Sequence, residues 1–118
     1  MYLRYIEVMQ DIEISPRLAR LLRAFLEDPT EPRYGYDLMR ATGLKSGSLY
    51  PALIMLERHG WLTAAKEDID PHVAGRPARR SYTITAEASI AAHTKLAELS
   101  EAFRPPVPVR PTLGGCTA

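Results

Sequence analysis

The sequence predicts a mainly α-helical fold with one small β-hairpin, an α+β class, in a chain of 118 residues. Three observations predict it. An apolar stripe at helical spacing follows Ser15, two further helices flank Gly43, and two alternating segments flank a loop rich in proline and glycine. A long helix then completes the pattern. We divide the chain into an N-terminal arm (1–14), a folded domain (15–85), a long C-terminal helix (86–103) and a proline-rich tail (104–118) that we expect to be disordered.

The first helix is predicted from its start and its apolar stripe. Ser15 is a favoured N-cap residue, and Pro16 suits the first helical position because an N–H there has no partner within the helix. The apolar residues at helical spacing are Leu18, Leu21, Leu22, Phe25 and Leu26. We expect the helix to end near Asp28, before Pro29. Residues 2–14 mix β-branched, aromatic and acidic side chains, and both a short strand and a helical arm fit them.

Gly43 separates a second helix from a third. Residues 29–33 are predicted to form a loop and residues 34–42 a short helix, which Gly43 ends as its C-cap. The third helix runs to His59, and Gly60 stops it. Its apolar face carries Leu49, Leu53 and Leu56. Two helices joined by a tight turn that starts with glycine are typical of a helix-turn-helix.

The start of the third helix depends on which serine caps it. If Ser48 is the N-cap, Pro51 is the third helical residue and costs little stability. If Ser46 is the N-cap, Pro51 is the fifth and one internal hydrogen bond is missing. We favour Ser48, or a loosened first turn. The choice decides which side chains of the first turn are free to contact a partner.

Two strand-like segments follow the third helix. Residues 61–66 are strand-like, and residues 79–85 alternate, with Arg80, Tyr82 and Ile84 on one side. Residues 67–78, which lie between them, hold acids, two prolines and a glycine and are predicted to be irregular. Three helices followed by a hairpin make a winged helix-turn-helix, in which the loop between the two strands is the wing.

A last helix is predicted from residue 86 to about residue 103, with Thr85 as its N-cap. Its apolar stripe consists of Ala88, Ala92, Leu96, Leu99 and Phe103. The helix is long for so small a domain, so its own core can cover only part of this stripe. We expect the remainder to form a homodimer, and we add Leu18 and Leu22 of the first helix to the expected dimerisation residues.

The start of the third helix and the wing carry the candidate DNA contacts. The positive end of a helix favours a phosphate, and glycine leaves no side chain to hold the backbone away. Arginines on a wing can follow phosphates or enter the minor groove. The candidates are Lys45, Ser46, Gly47, Ser48 and Tyr50 on the helix and Arg76, Arg79 and Arg80 on the wing. Tyr50 fits packing against a neighbouring helix equally well, and Arg80 also fits pairing with an acid of the core.

The distribution of charge gives weak support for a nucleic-acid partner. The chain has a net charge of +1, but residues 33–80 hold eight lysines and arginines against five acids. Residues 1–32 hold four arginines against six acids. A modest local excess is also typical of an ordinary solvated surface, so it does not by itself indicate DNA.

The sequence has no pattern for catalysis, metal binding or membrane insertion. His59, His72 and His93 lack ligand spacing, and the single cysteine, Cys116, has no nearby base. We therefore expect no enzyme activity, no cofactor and no metal. The apolar runs are short, residues 1–10 lack the apolar core of a signal peptide, and no internal disulfide can form. These features predict a cytoplasmic protein without a membrane partner.

Five motifs, in their order and spacing, resemble the PadR family of transcriptional regulators. They are G-Y-D-L (35–38), S-G-S-L-Y-P-A-L (46–53), L-E-R-H-G-W-L (56–62), G-R-P-A-R-R-S-Y (75–82) and I-T (84–85). The second motif is the most specific, and the resemblance covers roughly residues 18–103. The length is similar to that of the short subfamily, which has a single C-terminal dimerisation helix. Where a histidine often precedes the G-Y pair, this chain has Tyr34.

The resemblance implies a sequence-specific DNA-binding regulator, usually a repressor, that binds palindromic promoter DNA as a homodimer. In that family the third helix enters the major groove and the wing contacts the flank, which adds Pro51 and Gly75 to the candidate contacts. Some relatives bind planar aromatic molecules at the dimer interface. The expected partners are therefore double-stranded DNA, a second copy of the chain and a small-molecule effector. The alternative is a winged-helix protein–protein interaction module without specific DNA binding.

Overall fold

The computed structural model describes residues 12–109, which form five helices and three short strands around one core. The elements are α1 (Pro16–Leu26), β1 (Arg33–Tyr34), α2 (Gly35–Thr42), α3 (Ser46–Arg58), β2 (Leu62–Lys66), α4 (Pro71–Ala74), β3 (Arg80–Ile84) and α5 (Ala86–Ala102). The predicted mainly α fold with a small β element is confirmed. Most of the predicted N-terminal arm (residues 1–11) and of the tail (residues 110–118) lies outside the described residues.

α1 begins as the sequence predicts. The Ser15 hydroxyl accepts a hydrogen bond from the Leu18 N–H at 3.2 Å, and Pro16 is the first helical residue. The predicted stripe faces the core, with Leu18, Leu21, Leu22 and Phe25 buried. The helix ends at Leu26, two residues earlier than predicted. Asp28 turns the chain there, because its carboxylate accepts hydrogen bonds from both the N–H and the hydroxyl of Thr30.

A third strand corrects the predicted boundaries around Tyr34. Residues 33–34 form β1 and pair with β3, so the antiparallel sheet has the order β1–β3–β2 and is more than a hairpin. α2 consequently begins at Gly35, one residue later than predicted. A two-residue strand is too short to show a period-two pattern, so sequence periodicity cannot reveal it.

The turn between α2 and α3 is closed by short-range hydrogen bonds. Gly43 adopts φ +75°, which glycine tolerates, and its N–H donates to the Met39 carbonyl at 2.8 Å. The Thr42 hydroxyl donates to the Leu38 carbonyl at 2.6 Å and accepts from the Leu44 N–H at 3.1 Å. Buried Leu44 attaches the turn to the core. The predicted helix-turn-helix and its glycine C-cap are confirmed.

One face of α3 is held in the core. Leu49, Leu53 and Leu56 have no exposed surface, as predicted, whereas Ile54 on another face is 45% exposed. Trp61 follows the helix and is fully buried; its N–H donates to the Leu56 carbonyl. Burial of each leucine contributes about 1.5–3 kcal/mol. The core therefore fixes the direction in which the N-terminus of α3 points.

The wing and the two strands that flank it form a hairpin, and the wing contains one unexpected helical turn. β2 and β3 pair antiparallel as predicted, and the buried side chains of β3 are Tyr82 and Ile84. Residues 71–74, predicted to be irregular, form α4. Asp70 caps α4 by accepting from the His72 N–H at 2.9 Å, and Gly75 ends it at φ +70°. Asp70 and Pro71 are typical residues for a helix start, and Gly75 is typical for a helix end. Together they mark this single turn in the sequence.

α5 packs on the core through small side chains. Thr85 caps it as predicted, since its hydroxyl accepts from the Ala88 N–H at 3.2 Å. The buried residues of α5 are Ala88, Ala91 and Ala92. Phe103 follows the helix and is 79% exposed, so it does not continue the buried stripe. Residues 104–109 are exposed and have no regular secondary structure.

Candidate nucleic-acid interface

The first turn of α3 has no side-chain cap. Lys45 is the N-cap residue, and its carbonyl accepts hydrogen bonds from the N–H groups of Ser48 and Leu49, both at 2.9 Å. These bonds already hold residues 46–48 in helical geometry, so the helix begins at Ser46. Neither serine is the cap, and the prediction that favoured Ser48 is wrong.

Pro51 is therefore the sixth residue of α3 and lies inside the helix. It has no N–H to donate to the carbonyl of Gly47 one turn earlier, so one helical hydrogen bond is missing. This is a deeper position than either of the predicted alternatives. The start of α3 therefore lacks both a side-chain cap and one internal hydrogen bond. Each of these leaves a backbone polar group near the N-terminus of the helix without that hydrogen-bond partner.

These residues form an accessible, low-profile surface. Lys45, Ser46, Gly47 and Pro51 are exposed and Ser48 is half-buried; we call these five residues the α3 tip. A Cβ atom added at Gly47 would have no atom within 4 Å, so the glycine leaves open space. In helix-turn-helix proteins the N-terminal residues of the recognition helix are the ones that contact base edges. The α3 tip has the accessibility that such contacts require.

Tyr50 packs against α2, which is one of the two alternatives that the sequence left open. Its ring lies so close to Gly35 that a Cβ there would be 2.8 Å from Tyr50 Cζ. The ring is still 40% exposed. It borders a cleft of about 340 Å³ lined by Tyr34, Gly35, Tyr36, Asp37, Tyr50, Arg79 and Arg80. Tyr34 and Tyr36 were not predicted as site residues, although the Tyr-Gly-Tyr pattern at the start of α2 marks them.

Glu67 organises the wing. Its carboxylate accepts two hydrogen bonds from the Arg76 guanidinium, at 2.7 and 3.1 Å, and one from the Arg79 N–H at 3.2 Å. These bonds, the Arg76 pair first, lower the pKa of Glu67 from 4.5 to about 2. In the sequence, Glu67 is one of three acids between residues 67 and 70. Its position directly after β2, opposite the basic segment, is the signal that was missed.

Arg80 connects the sheet to α3. Its guanidinium donates to both carboxylate oxygens of Glu57, at 3.0 and 3.2 Å, and lies 6.0 Å from the centre of the Tyr82 ring. Burial raises the pKa of Tyr82. The expected alternative for Arg80, pairing with an acid, is thus the arrangement that the structure has. The Arg79 side chain differs, because between residues 12 and 109 it makes no hydrogen bond or ion pair.

A second candidate surface lies where α5 meets α1. Among the predicted dimerisation residues, Leu18, Leu22, Ala88 and Ala92 lie in the core of the protomer itself. Leu96 and Leu99 are half-buried and Phe103 is exposed. Two cavities of about 600 and 630 Å³ lie along this surface and share Ala19, Leu96 and Ser100. Only the second half of the predicted stripe therefore has surface left for a partner.

Comparison with known proteins decides the family. Residues 24–92, more than half of the chain, match the model of the transcriptional regulator PadR-like family. The chain belongs to the PadR-like family. This match includes α2, α3 and the whole wing, and therefore both parts of the candidate interface. No curated protein matches this PadR-like chain with significant similarity.

Solved structures share the fold of this PadR-like chain. A PadR-like transcription factor from Bacteroides fragilis is 22% identical, with a TM-score of 0.52 over 73% of this chain and 79% of that one. Reduced, DNA-bound AbfR of Staphylococcus epidermidis is 19% identical, with a TM-score of 0.62 over 89% and 69%. BpsR of Bordetella bronchiseptica is 13% identical, with a TM-score of 0.55 over 89% of this chain and 81% of that one. The DNA binding of BpsR is regulated by 6-hydroxynicotinic acid.

Two further features of the PadR-like chain bear on its chemistry. Within residues 12–109, no three histidine, cysteine or acidic side chains cluster in a way that could hold a metal ion. No helix in the same described range is long and apolar enough to cross a membrane. Cys116 lies outside the described residues.

Proposed function

We propose that this transcriptional regulator binds specific double-stranded DNA as a homodimer and represses transcription from a palindromic promoter site. The α3 tip is the observation that carries the proposal. The apolar face of α3 is fully buried, whereas its first turn is exposed and has no side-chain cap. A helix that the core holds rigidly and presents by its N-terminus suits insertion into a major groove. The DNA-bound state of AbfR, which has the same fold, is consistent with this use.

The α3 tip and the wing would have different tasks on DNA. Lys45 and Ser46 are exposed at the tip, where an ammonium can contact guanine O6 or N7 and a hydroxyl can contact any base. Arg79 is exposed on the wing and has no competing ion pair among residues 12–109. It suits a phosphate or the minor groove beside the site. Tyr50, which packs on Gly35, would support the tip and contribute at most its exposed edge.

The homodimer would form through the second half of α5. Leu96, Leu99 and Phe103 stand beside Ile12 and Ile14, and together they line the larger of the two cavities. This apolar surface continues the core to the outside of the protomer. A two-fold dimer through α5 would present two α3 tips to one face of DNA. Helix-turn-helix dimers of this kind bind half-sites about 34–36 Å apart, which makes the operator palindromic.

A small-molecule effector would bind between α1 and α5. The two cavities have mostly apolar surface, and their charged lining residues are the basic Arg20, Arg23, His93 and Lys95 and the acidic Glu13 and Glu27. An aromatic carboxylic acid combines an apolar ring with an anion and suits such a lining. We would screen 6-hydroxynicotinic acid, the regulator of BpsR, and related acids by thermal shift. If no acid in the screen raises the melting temperature, the chain is not effector-responsive to this class.

DNA binding is tested by fluorescence anisotropy on a duplex taken from directly upstream of the chain's own gene. We expect a specific complex whose affinity falls steeply with salt, because each phosphate contact releases counterions. Ser46→Ala should change which sequences bind, whereas Arg79→Ala should weaken all sequences alike. Arg104→Ala, beyond α5, serves as a charge-matched control. Equal binding of the upstream duplex and a scrambled one would favour the alternative of a protein-interaction module.

A further inference from the structure

We infer that Arg76 positions the wing through Glu67 and does not contact DNA, so that Arg79 is the cation that the wing offers to a phosphate. The inference rests on the proposed DNA-binding function and deepens it. It also revises the expectation from the sequence, in which every wing arginine was a candidate DNA contact. Arg76 and Arg79 lie in the same loop, and their side chains differ in the hydrogen bonds that they make.

The Arg76 guanidinium is already occupied. Its two terminal nitrogens donate to the two carboxylate oxygens of Glu67, and Nη1 also lies 3.3 Å from the Pro77 carbonyl. The side chain of Arg76 is 36% exposed and that of Glu67 only 21%. A bidentate pair of this kind is geometrically specific and neutral as a unit. A phosphate approaching Arg76 would therefore meet the paired carboxylate as well.

Glu67 also closes the wing through its backbone. The Glu67 N–H donates to the Arg79 carbonyl at 2.7 Å, while the Arg79 N–H donates to the Glu67 carboxylate at 3.2 Å. Residue 67 is thus bonded to both ends of the segment 76–79. The other side of this segment is held by α4, since the Arg76 N–H donates to the Pro71 carbonyl at 3.2 Å. These bonds fix the peptide backbone of Arg79 and leave its side chain exposed.

The position of Arg79 suits contact with the DNA that α3 would bind. Arg79 lines the cleft that also contains Tyr36 and Tyr50, on the side of the wing that faces α2 and α3. Arg80 is also paired, because its Nη2 donates to both carboxylate oxygens of Glu57 in α3, but it uses this one nitrogen and its side chain stays 59% exposed. The two paired arginines connect parts of the protein to each other. Arg79 alone of the three makes no side-chain hydrogen bond and no close ion pair among residues 12–109, although its charge also acts on Glu67.

The test compares the salt dependence of DNA binding among variants. The double variant Glu67→Ala/Arg76→Ala removes one charge of each sign and keeps the net charge, and Arg79→Ala removes a single positive charge. For Arg79→Ala, the slope of log affinity against log salt should become shallower by about 0.9, the contribution of one phosphate contact. The double variant should keep the wild-type slope. Its affinity should fall by a factor of up to about five, the equivalent of one partly exposed ion pair.

A charge swap supplies the second arm. Arg76→Glu should weaken binding, and adding Glu67→Arg should recover the part of the loss that comes from the broken ion pair, while the Arg79 N–H stays without its carboxylate acceptor. A direct phosphate contact by Arg76 predicts the opposite result: the swap binds no better than Arg76→Glu alone, and the double alanine variant loses about 0.9 of the slope. Either of these results would overturn the inference.

Amide hydrogen exchange keeps the inference testable without DNA. The Arg79 N–H should be protected in the wild type and should exchange faster in Glu67→Ala, because its acceptor is removed. Unchanged protection would also overturn the inference. If the wild-type chain binds no DNA at all, the proposed function fails, and the exchange measurement still decides whether Glu67 holds the wing.

Discussion

Replacing Gly35 with alanine tests how α2 and α3 are packed together. The backbone of Gly35 does not have the positive φ seen at Gly43, Gly60 and Gly75, so alanine fits its conformation. The added Cβ would, however, lie 2.8 and 2.9 Å from two carbon atoms of the Tyr50 ring. Carbon atoms in contact prefer about 3.5–4.0 Å, so the ring has to move by about 1 Å.

The magnitude follows from two opposing effects. Overpacking of this kind costs about 1–3 kcal/mol, and we take about 1–2 kcal/mol because Tyr50 is 40% exposed and can swing outward. Gly35 is the first residue of α2, and alanine at a backbone it can adopt without strain gains about 0.5–1 kcal/mol over glycine by restricting the unfolded chain. We expect Gly35→Ala to lower the free energy of unfolding by about 0.5–1 kcal/mol. In a Tyr50→Ala background the clash is gone, and the same change should stabilise by about 0.5–1 kcal/mol.

Urea unfolding of the wild type, both single variants and the double variant measures the coupling between the two sites. The structure predicts a coupling free energy of about 1–2 kcal/mol and a change of sign for Gly35→Ala between the two backgrounds. If the changes in unfolding free energy of the two single variants add up to that of the double variant within about 0.5 kcal/mol, the contact is refuted. The same variants report on function, because a displaced Tyr50 changes the support of the α3 tip.

Further predictions concern α5 and the wing. Thr85→Ala removes the cap of α5 and should lower the free energy of unfolding by about 1 kcal/mol in urea titrations; no change would contradict the capping role. Leu96→Asp/Leu99→Asp should give monomers by light scattering, whereas Ile90→Asp, at a site already 58% exposed, should leave the dimer intact. Glu67 has a pKa lowered to about 2, so its stabilising contribution is present above pH 4.5 and is lost as the pH falls towards 2. The difference in stability between the wild type and Glu67→Gln should accordingly shrink over that range.

Four of the five helices of the described residues, α1, α2, α3 and α5, could be predicted from the sequence because their signals are local and periodic. Ser15-Pro16, Gly43 and Thr85 mark helix ends by their own backbone chemistry, and the leucine spacing of α3 identifies its buried face. Each of these depends on residues within a few positions of one another. The prediction needed no knowledge of which helix contacts which.

The start of α3 could not be predicted in the same way. Local preference favoured Ser48 as the cap, since it leaves Pro51 in the first turn. In the folded chain the helix starts three residues earlier, and the burial of Leu49, Leu53 and Leu56 offsets the cost of an internal proline. Tertiary packing overrides a local preference here, at the residues to which the proposed function assigns the base contacts.

The candidate site was predicted by its residue types but not by its pairing. The sequence shows several wing arginines and several acids, and nothing local indicates that Arg76 pairs with Glu67 nine positions away or that Arg80 pairs with Glu57 of α3. These pairs depend on the register of the hairpin and on the packing of α3. A residue's charge can therefore be read from the sequence, whereas its availability to a partner depends on the fold.

Chemical footprinting tests the central claim, that the α3 tip reads bases in a major groove, most directly. Methylation protection of guanine N7 on the upstream duplex should reveal two protected half-sites about 10 base pairs apart, or a multiple of that distance. Lys45→Ala/Ser46→Ala should abolish this protection while hydroxyl-radical protection of the backbone remains. Backbone protection without any protected guanine or paired half-sites in the wild type, or base protection that survives the double variant, would contradict the account.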